Sequence, residues 1–217
     1  LRVDALKAQA GLVGELALPA GTDPAVWLGE IATGRKPARS LNGHLLLLGC
    51  CRADGRWHVW TDRFGTVHAY FGSVGSRAAL GTSFASVASV ASRRRLDWPA
   101  LSAFFACGFF PADRTFFDDV RVIRPASHLV LESSGQLVSE ERYWEWGHAP
   151  NRARSYDDTV AEFADTLHGV LDDEAVSGRI AVPISGGLDS RTTFAALTRT
   201  GASDRERLWC YSYGYSE

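Results

Sequence analysis

The stretch that most constrains the fold is VPISGGLDSRTTF, from Val182 to Phe194, where small residues separate an apolar run from a helix-like run. The flanking patterns predict a strand, RIAVPI, before the turn and a helix over about 189–200 after it. A second strand, RLWCYSY, follows. A strand, a helix and a second strand form the unit from which helix-covered parallel sheets are built. The sequence therefore predicts an α/β unit here.

The glycine turn itself points to an anion site. The first N–H groups of a helix have no intrahelical partner, and the helix dipole adds partial positive charge there. Gly186 and Gly187 would let the backbone approach a phosphate, and Ser185 and Ser190 would add hydroxyl donors. The carboxylate of Asp189 would repel a phosphate directly, but it could bind a Mg²⁺ ion that also binds the phosphate, because Mg²⁺ is usually held by carboxylates and substrate phosphates. The alternative is an ordinary strand-to-helix turn with capping serines.

Earlier in the chain the sequence pattern is typical of an antiparallel sheet. Short strands separated by turns are predicted over 41–82, including RWHVWT and VHAYFG. Short helices are predicted over 83–91 and 98–107, the second capped by Asp97, and SHLVLE and QLVSEERYW form a hairpin. The histidines here, His44, His58 and His68, are expected to be ordinary sheet residues, and Asp62 and Arg63 to pair structurally.

A change in the hydrophobic pattern, from short strands to a long helix, marks the predicted domain boundary. After the capping residue Ser155, apolar residues recur at helical spacing: Val160, Phe163, Leu167, Val170 and Leu171. We expect an α+β domain over 1–145, a linker over 146–154 (WGHAPNRAR) and an α/β unit over 155–217.

Composition excludes several function classes. The formal net charge is −2 and the sequence pI is about 6.3, so the basic footprint of a nucleic-acid binder is absent. No apolar run of about 18 residues predicts a membrane span. The cysteines are Cys50, Cys51, Cys107 and Cys210, without a C-x-x-C pair, and free thiols in a reducing cytosol are expected. The prediction is a cytoplasmic protein without nucleic-acid or membrane partners.

The chain has no methionine, and its last residues follow an apolar-aromatic run. Both observations lead us to expect a fragment of a longer protein, truncated at its N-terminus.

Several motifs together carry a family resemblance. SGGLDS after an apolar strand resembles the pyrophosphate loop of N-type ATP pyrophosphatases, and AVSGRIAVPISGGLDSRTTFAAL is similar to the start of the synthetase domain in the asparagine synthetase family. VWTDRFGTVHAYF resembles part of that family's glutaminase domain, and LDWPALSAFFACGFFPADRTFFDDVRVIRPASHLVL its interdomain link. The resemblance covers roughly 12–215 and implies an Ntn-hydrolase-like domain followed by the first βαβ unit of an ATP pyrophosphatase domain.

The resemblance implies a ligase that activates a carboxylate, such as aspartate, with ATP and aminates it with ammonia from glutamine. It assigns ATP and its pyrophosphate to Ser185, Gly186, Gly187, Leu188, Asp189, Ser190, Tyr213 and Gly214. Asp189 would also bind Mg²⁺. An aromatic strand end is the alternative reading of the YSYGYS segment.

The first domain departs from the family pattern. The family's nucleophile is an N-terminal cysteine, but position 1 is Leu1, so no catalytic residue is assigned. The resemblance places the glutamine-binding residues at Gly14, Glu15 and Asn42. The family has an asparagine at the position of Val13 and an aspartate at the position of Asn42. Truncation and a degenerate glutaminase scaffold both explain these departures.

The alternatives for function are a divergent member with another amine acceptor (β-lactam-forming, peptide-cyclising or polysaccharide-modifying) and a non-catalytic module. The oligomeric state is left open, with a homodimer among the alternatives.

Overall fold

The computed structural model describes residues 2–5, 8–18, 21–51, 55–175, 178–199 and 207–214. The chain divides into two compact units, Leu1–Gly147 and His148–Glu217. The boundary falls inside the segment where the sequence places a linker. No helix among the described residues is long and apolar enough to cross a membrane.

Strands dominate the first unit. Its strands are β1 (Arg2–Ala5), β2 (Ala8–Leu16), β3 (Gly43–Cys51), β4 (Trp57–Thr61), β5 (Tyr70–Val74), β6 (Arg77–Gly81), β7 (Val120–Val122), β8 (Ser127–Leu131) and β9 (Leu137–Arg142). Its helices are α1 (Pro24–Ala32), α2 (Phe84–Ala91) and α3 (Trp98–Cys107), with a short 3₁₀ turn at Ala38–Ser40.

These strands form two antiparallel sheets. One is six-stranded in the order β1-β2-β3-β4-β8-β9, and the other is three-stranded in the order β6-β5-β7. The predicted antiparallel α+β class is confirmed, but the single sheet expected over 41–82 is wrong. The chain leaves the first sheet after β4, because β5 pairs with β6 and β7 instead.

The two sheets pack face to face between helices. Trp27, Leu28 and Ile31 of α1 cover one face of the six-stranded sheet, against Leu47 and Trp60. A second apolar cluster joins the two sheets. On the outer face of the smaller sheet, α2 packs against Val120 and Tyr70. The unit is therefore layered as helix, sheet, sheet and helix.

Close packing of α2 depends on Gly72 of β5. A Cβ at Gly72 would lie 2.9 Å from the carbonyl oxygen of Ala91, at the end of α2. The neighbouring Phe71 points to the opposite face and joins the cluster between the sheets. Successive residues of β5 therefore face opposite sides of its sheet, with Gly72 toward α2 and Phe71 toward the six-stranded sheet.

Side-chain caps start the first four helices. Asp97 accepts from the N–H of Ala100 and Ser155 from that of Asp158, which confirms both predicted caps. Asp23 and Ser83 cap α1 and α2 in the same way. Helix α1 was not predicted, although Asp23 followed by Pro24 is a helix-start signal.

The second unit contains α4 (Tyr156–Glu174), β10 (Ile180–Pro183), α5 (Leu188–Leu197) and β11 (Leu208–Tyr211). β10 and β11 pair in parallel, which confirms the predicted strand–helix–strand unit. The assignment of this unit to the ATP pyrophosphatases stays a prediction. α5 ends at Leu197, three residues before the expected end at about 200, which lies outside the described residues.

The predicted apolar face of α4 is largely exposed. Phe163 is 61% exposed and Val170 53%. Only Leu171 packs against the small core that Val182 and Leu197 form. The helical period of the sequence is therefore present, but the residues described here do not cover that face.

Candidate functional site

The glycine turn lies directly beyond the end of β10. Val182 is buried in the strand, whereas residues 185–189 are exposed. Gly186 has a φ of +81°, in the left-handed region that favours glycine, and nothing lies within 4 Å of a Cβ built there. The backbone thus requires glycine at position 186, and the surrounding space is open.

The two serines of the turn bond to the turn itself. The Ser190 hydroxyl oxygen accepts from the N–H of Ser185 at 3.3 Å, and the Ser185 hydroxyl oxygen accepts from the N–H of Gly187 at 3.4 Å. The two hydroxyl oxygens are 3.3 Å apart. This geometry matches the alternative in which the serines brace a turn, although exposed hydroxyls at these distances also remain available to a ligand.

The start of α5 differs from the other described helices. Its N-cap is Gly187, which provides no side-chain hydrogen bond, whereas α1 to α4 each begin with a capping Asp or Ser. The N–H groups of Gly186, Leu188 and Asp189 donate no hydrogen bond to any of the described residues. Three backbone donors at the positive end of a helix dipole therefore face solvent.

Residues after β11 reach the same edge of the sheet. Pro183 and Tyr211 are partners in the parallel register, and the N–H of Ile184 donates to the carbonyl of Tyr211 at 2.8 Å. Tyr213 and Gly214 follow directly, so the structure brings both predicted ATP-binding segments to the carboxyl ends of adjacent strands. Tyr213 is 75% exposed, so nothing in the described residues buries its ring. Tyr215 and Ser216, which complete the YSYGYS segment, lie outside the described residues.

Asp189 offers one carboxylate at this edge. It is exposed, it occupies the first turn of α5, and no hydrogen bond to its side chain occurs among the described residues. The described residues contain no group of three or more His, Cys, Asp or Glu suited to a metal ion. Mg²⁺ is usually held by one or two carboxylates together with substrate phosphates, and the assignment of Asp189 to Mg²⁺ stays a prediction.

Arg191, for which the sequence indicates no role, bonds to the turn. Its Nε donates to the carbonyl oxygen of Gly187 at 3.2 Å. The guanidinium is thus tied to the turn from the helix side.

The three positions that the resemblance assigns to glutamine also lie together. Glu15 is opposite His44 in the register of β2 and β3, and the carbonyl of Asn42 accepts from the N–H of Ala17 at 3.0 Å. A Cβ at Gly14, whose φ is +105°, would lie 2.0 Å from the His44 carbonyl oxygen. The backbone explains Gly14, while Glu15 and Asn42 are exposed at one end of the strand pair.

Asp62 does not pair with Arg63, contrary to expectation. Its buried carboxylate accepts four hydrogen bonds within one turn, from the N–H groups of Phe64, Thr66 and Val67 and from the Thr66 hydroxyl. Burial alone would raise the pKa of Asp62, but these hydrogen bonds outweigh it and hold the pKa below its usual value. Arg63 instead donates to the carbonyl of Arg39. The predicted pairing of these two side chains is therefore wrong.

No family model matches the chain, and no curated protein matches it. Among solved structures, glutamine phosphoribosylpyrophosphate amidotransferase from B. subtilis, in complex with ADP and GMP, is 13% identical, with a TM-score of 0.40, covering 92% of this chain and 46% of that one. A structure described as the allosteric regulatory enzyme of purine biosynthesis is 16% identical, with a TM-score of 0.36, covering 98% and 46%. The chain spans less than half the length of either, and likenesses this weak decide neither its family nor its activity.

Proposed function

We propose that the chain is part of an ATP-dependent ligase, which activates a carboxylate as an acyl-adenylate and then forms an amide. The observation that carries the proposal is the uncapped start of α5, where the N–H groups of the left-handed Gly186 and of Leu188 and Asp189 have no acceptor among the described residues. In open α/β sheets, ligands bind outside the carboxyl ends of the strands, and this turn occupies that position.

In this proposal the turn holds the β- and γ-phosphates of ATP. The N–H groups of Gly186, Leu188 and Asp189 donate to phosphate oxygens, and Ser185 and Ser190 add hydroxyl donors. Asp189 would hold Mg²⁺, which when bound neutralises phosphate charge and orients the phosphates. The adenine lies toward Tyr213 and Gly214, at the end of the neighbouring strand.

The chemistry then follows from the resemblance to the asparagine synthetase family. A carboxylate oxygen attacks the α-phosphorus, the bond to the β-phosphate oxygen breaks, and pyrophosphate leaves. A nitrogen nucleophile next adds to the acyl carbon, AMP leaves with the bonding electron pair, and the nitrogen releases one proton to solvent to give the neutral amide. The N–H donors of the turn lie where negative charge grows on the departing pyrophosphate, so their contribution increases in the transition state. Aspartate is the simplest carboxylate.

A pair of matched glycine substitutions tests nucleotide binding. Gly186 and Gly178 both have a φ of +81° with nothing within 4 Å of a Cβ, but only Gly186 lies in the turn. We expect Gly186→Ala and Gly178→Ala to lose about 1 kcal/mol of stability each. Calorimetry with Mg-ATP should show about tenfold or more weaker binding for Gly186→Ala alone. Equal ATP affinity in both variants, or no binding by the unaltered chain, would overturn the proposal.

Two acid substitutions test the metal role. Asp189→Asn should remove the Mg²⁺-dependent part of the ATP affinity, while Asp165→Asn, on the exposed surface of α4, should not. An identical Mg²⁺ dependence in the two variants contradicts the assignment of Asp189.

Pyrophosphate exchange into ATP tests the reaction itself. Exchange that depends on aspartate identifies aspartate as the substrate. Exchange that depends on another carboxylate identifies that carboxylate instead. If ATP binds normally and no carboxylate supports exchange, the non-catalytic, nucleotide-sensing alternative is favoured.

A second candidate is a ligase that does not take its nitrogen from glutamine. The observation in its favour is that Val13 and Asn42 stand where the resembling family has asparagine and aspartate. Glutamate release from glutamine, measured alongside exchange, separates the two candidates, because a degenerate glutaminase domain releases none.

A further inference from the structure

A cavity of about 370 Å³ lies in the first unit, and none of the residues assigned to the two candidate sites lines it. It opens between two edge strands: β7 ends the three-stranded sheet, and β9 ends the six-stranded sheet. The residues lining it are Asp113, Arg121, Arg124, Leu137, Glu140 and Arg142. The volume falls within the range of small-molecule pockets, about 300–1,000 Å³.

Arginines neutralise both acids of this cavity. Arg121 donates from Nη1 and Nη2 to the two carboxylate oxygens of Glu140, at 3.2 and 2.6 Å. Asp113 accepts from Nε of Arg124 at 3.1 Å and lies 4.0 Å from Nη1 of Arg121. Arg121 is also held over the ring of Phe71 at 5.6 Å. These contacts fix the acids and join the two sheet edges.

Two arginines keep unused donors. Arg124 bonds only through Nε, so its terminal amino groups have no acceptor among the described residues, and its side chain is 58% exposed. Arg142 lies 3.6 Å from the exposed Glu145, beyond hydrogen-bonding distance. The lining residues, three arginines and two carboxylates, carry a net formal charge of +1, and Glu145 beside Arg142 lies outside the lining.

We propose that this cavity binds a small anion through a phosphate or carboxylate group, held by Arg124 and Arg142. A guanidinium presents a planar fork of donors that matches both groups. The network of Arg121, Glu140 and Asp113 preorganises the site, because it fixes the surrounding charges before the ligand arrives. The competing reading is that the arginines only close the sheet edges and face water.

Two substitutions with opposite effects separate these readings. Inorganic phosphate and succinate are titrated separately into the full chain at constant ionic strength, followed by NMR of the Leu137 methyl groups and the Arg Nε–H groups. Arg142→Gln should weaken binding about tenfold or more, since a charged donor is lost. Glu145→Gln should tighten it by at least about twofold, since Arg142 then loses its nearest carboxylate while the preorganising network stays intact.

Controls make each outcome decisive. Arg142→Lys keeps the charge but loses the fork and should bind with intermediate affinity, and Gly186→Ala should leave these NMR shifts unchanged, which excludes binding at the glycine turn. Saturation by phosphate alone identifies a phosphorylated ligand, and saturation by succinate alone a carboxylate. If neither anion saturates the cavity by about 10 mM, a weak limit for a specific site, or if Arg142→Gln binds as well as the unaltered chain, the proposal fails.

Discussion

Nδ1 of His58 lies 2.9 Å from Nε2 of His128, on adjacent strands of the six-stranded sheet. The His128 ring also stacks on Trp60, with ring centroids 4.6 Å apart and planes 4° from parallel. One histidine must donate and the other accept, so the contact requires at least one neutral ring. Burial, and then the neighbouring His58, lower the pKa of His128 to about 4.

This pair predicts a loss of stability in mild acid. An unfolded chain protonates His128 near its ordinary pKa of 6.5, but the folded chain does so only near 4. Between these values the unfolded state binds more protons, so the free energy of unfolding falls as pH falls, on the order of 1–2 kcal/mol by pH 4. Urea unfolding of His128→Gln should show a flatter profile between pH 6.5 and 4. His68→Gln, at an exposed position, should keep the original slope.

Asp62→Asn should destabilise the first unit strongly. An amide replaces one acceptor oxygen by a donor, which then faces backbone N–H groups or the Thr66 hydroxyl, and we expect a cost of about 2–4 kcal/mol at pH 7. The pKa of Asp62 is lowered by folding, so its contribution exists above pH 3.8 and is lost as pH falls through the folded-state pKa. Urea midpoints at pH 7 and pH 3 check both statements.

The matched control for that experiment is Glu132→Gln. Glu132 is partly exposed and paired with Arg56 at 3.3 Å, and pairs open to solvent in this way contribute about 0–1 kcal/mol. Equal losses of unfolding free energy in the two variants would show that the four hydrogen bonds to Asp62 stabilise the unit no more than a surface ion pair does.

Tyr143→Phe should remove one phenol that ionises only at high pH. The Tyr143 hydroxyl donates to the carbonyl of Thr61 at 2.5 Å. Burial, and then the negative charge of Asp62, raise the pKa of Tyr143 to about 12. Ultraviolet titration should show a tyrosine that ionises near pH 12, absent from Tyr143→Phe. The substitution should also cost about 1–2 kcal/mol at pH 7, and a titration unchanged by it would contradict this assignment.

Gly43→Ala should destabilise the chain far more than Gly75→Ala. Both glycines have positive φ, but a Cβ at Gly43 would lie 2.4 Å from the carbonyl oxygen of Glu15, while Gly75 has open space. We expect a loss above about 2 kcal/mol for Gly43→Ala and about 1 kcal/mol for Gly75→Ala. Thermal unfolding of the two variants measures the difference, and equal losses would mean that β2 shifts to accommodate the methyl group.

Local signals in the sequence explain which elements could be predicted. Asp97 and Ser155 are capping residues beside apolar periods, and both helices begin where those residues indicate. The split into two sheets had no local signal, because it depends on β5 pairing with β7, about 50 residues away, and on the fit of Gly72 beneath α2.

The candidate sites show the same division. Residues of the glycine turn are contiguous, so their pattern alone led to a phosphate hypothesis that the backbone geometry supports. The anion cavity draws Asp113, Arg121 and Glu140 from separate segments, and each is unremarkable in its own sequence context. His58 and His128 meet across 70 positions, so spacing rules for histidines could not find them.

The bond from Arg191 to Gly187 constrains more than a side chain. A trans peptide is planar, so the Gly187 carbonyl and the Leu188 N–H point in opposite directions. Holding that carbonyl toward Arg191 therefore stops the shared peptide plane from rotating and aims the Leu188 N–H away from the helix. An anion arriving at the turn would meet a donor that is already oriented, and Arg191→Ala would loosen that donor without removing any group that touches the ligand.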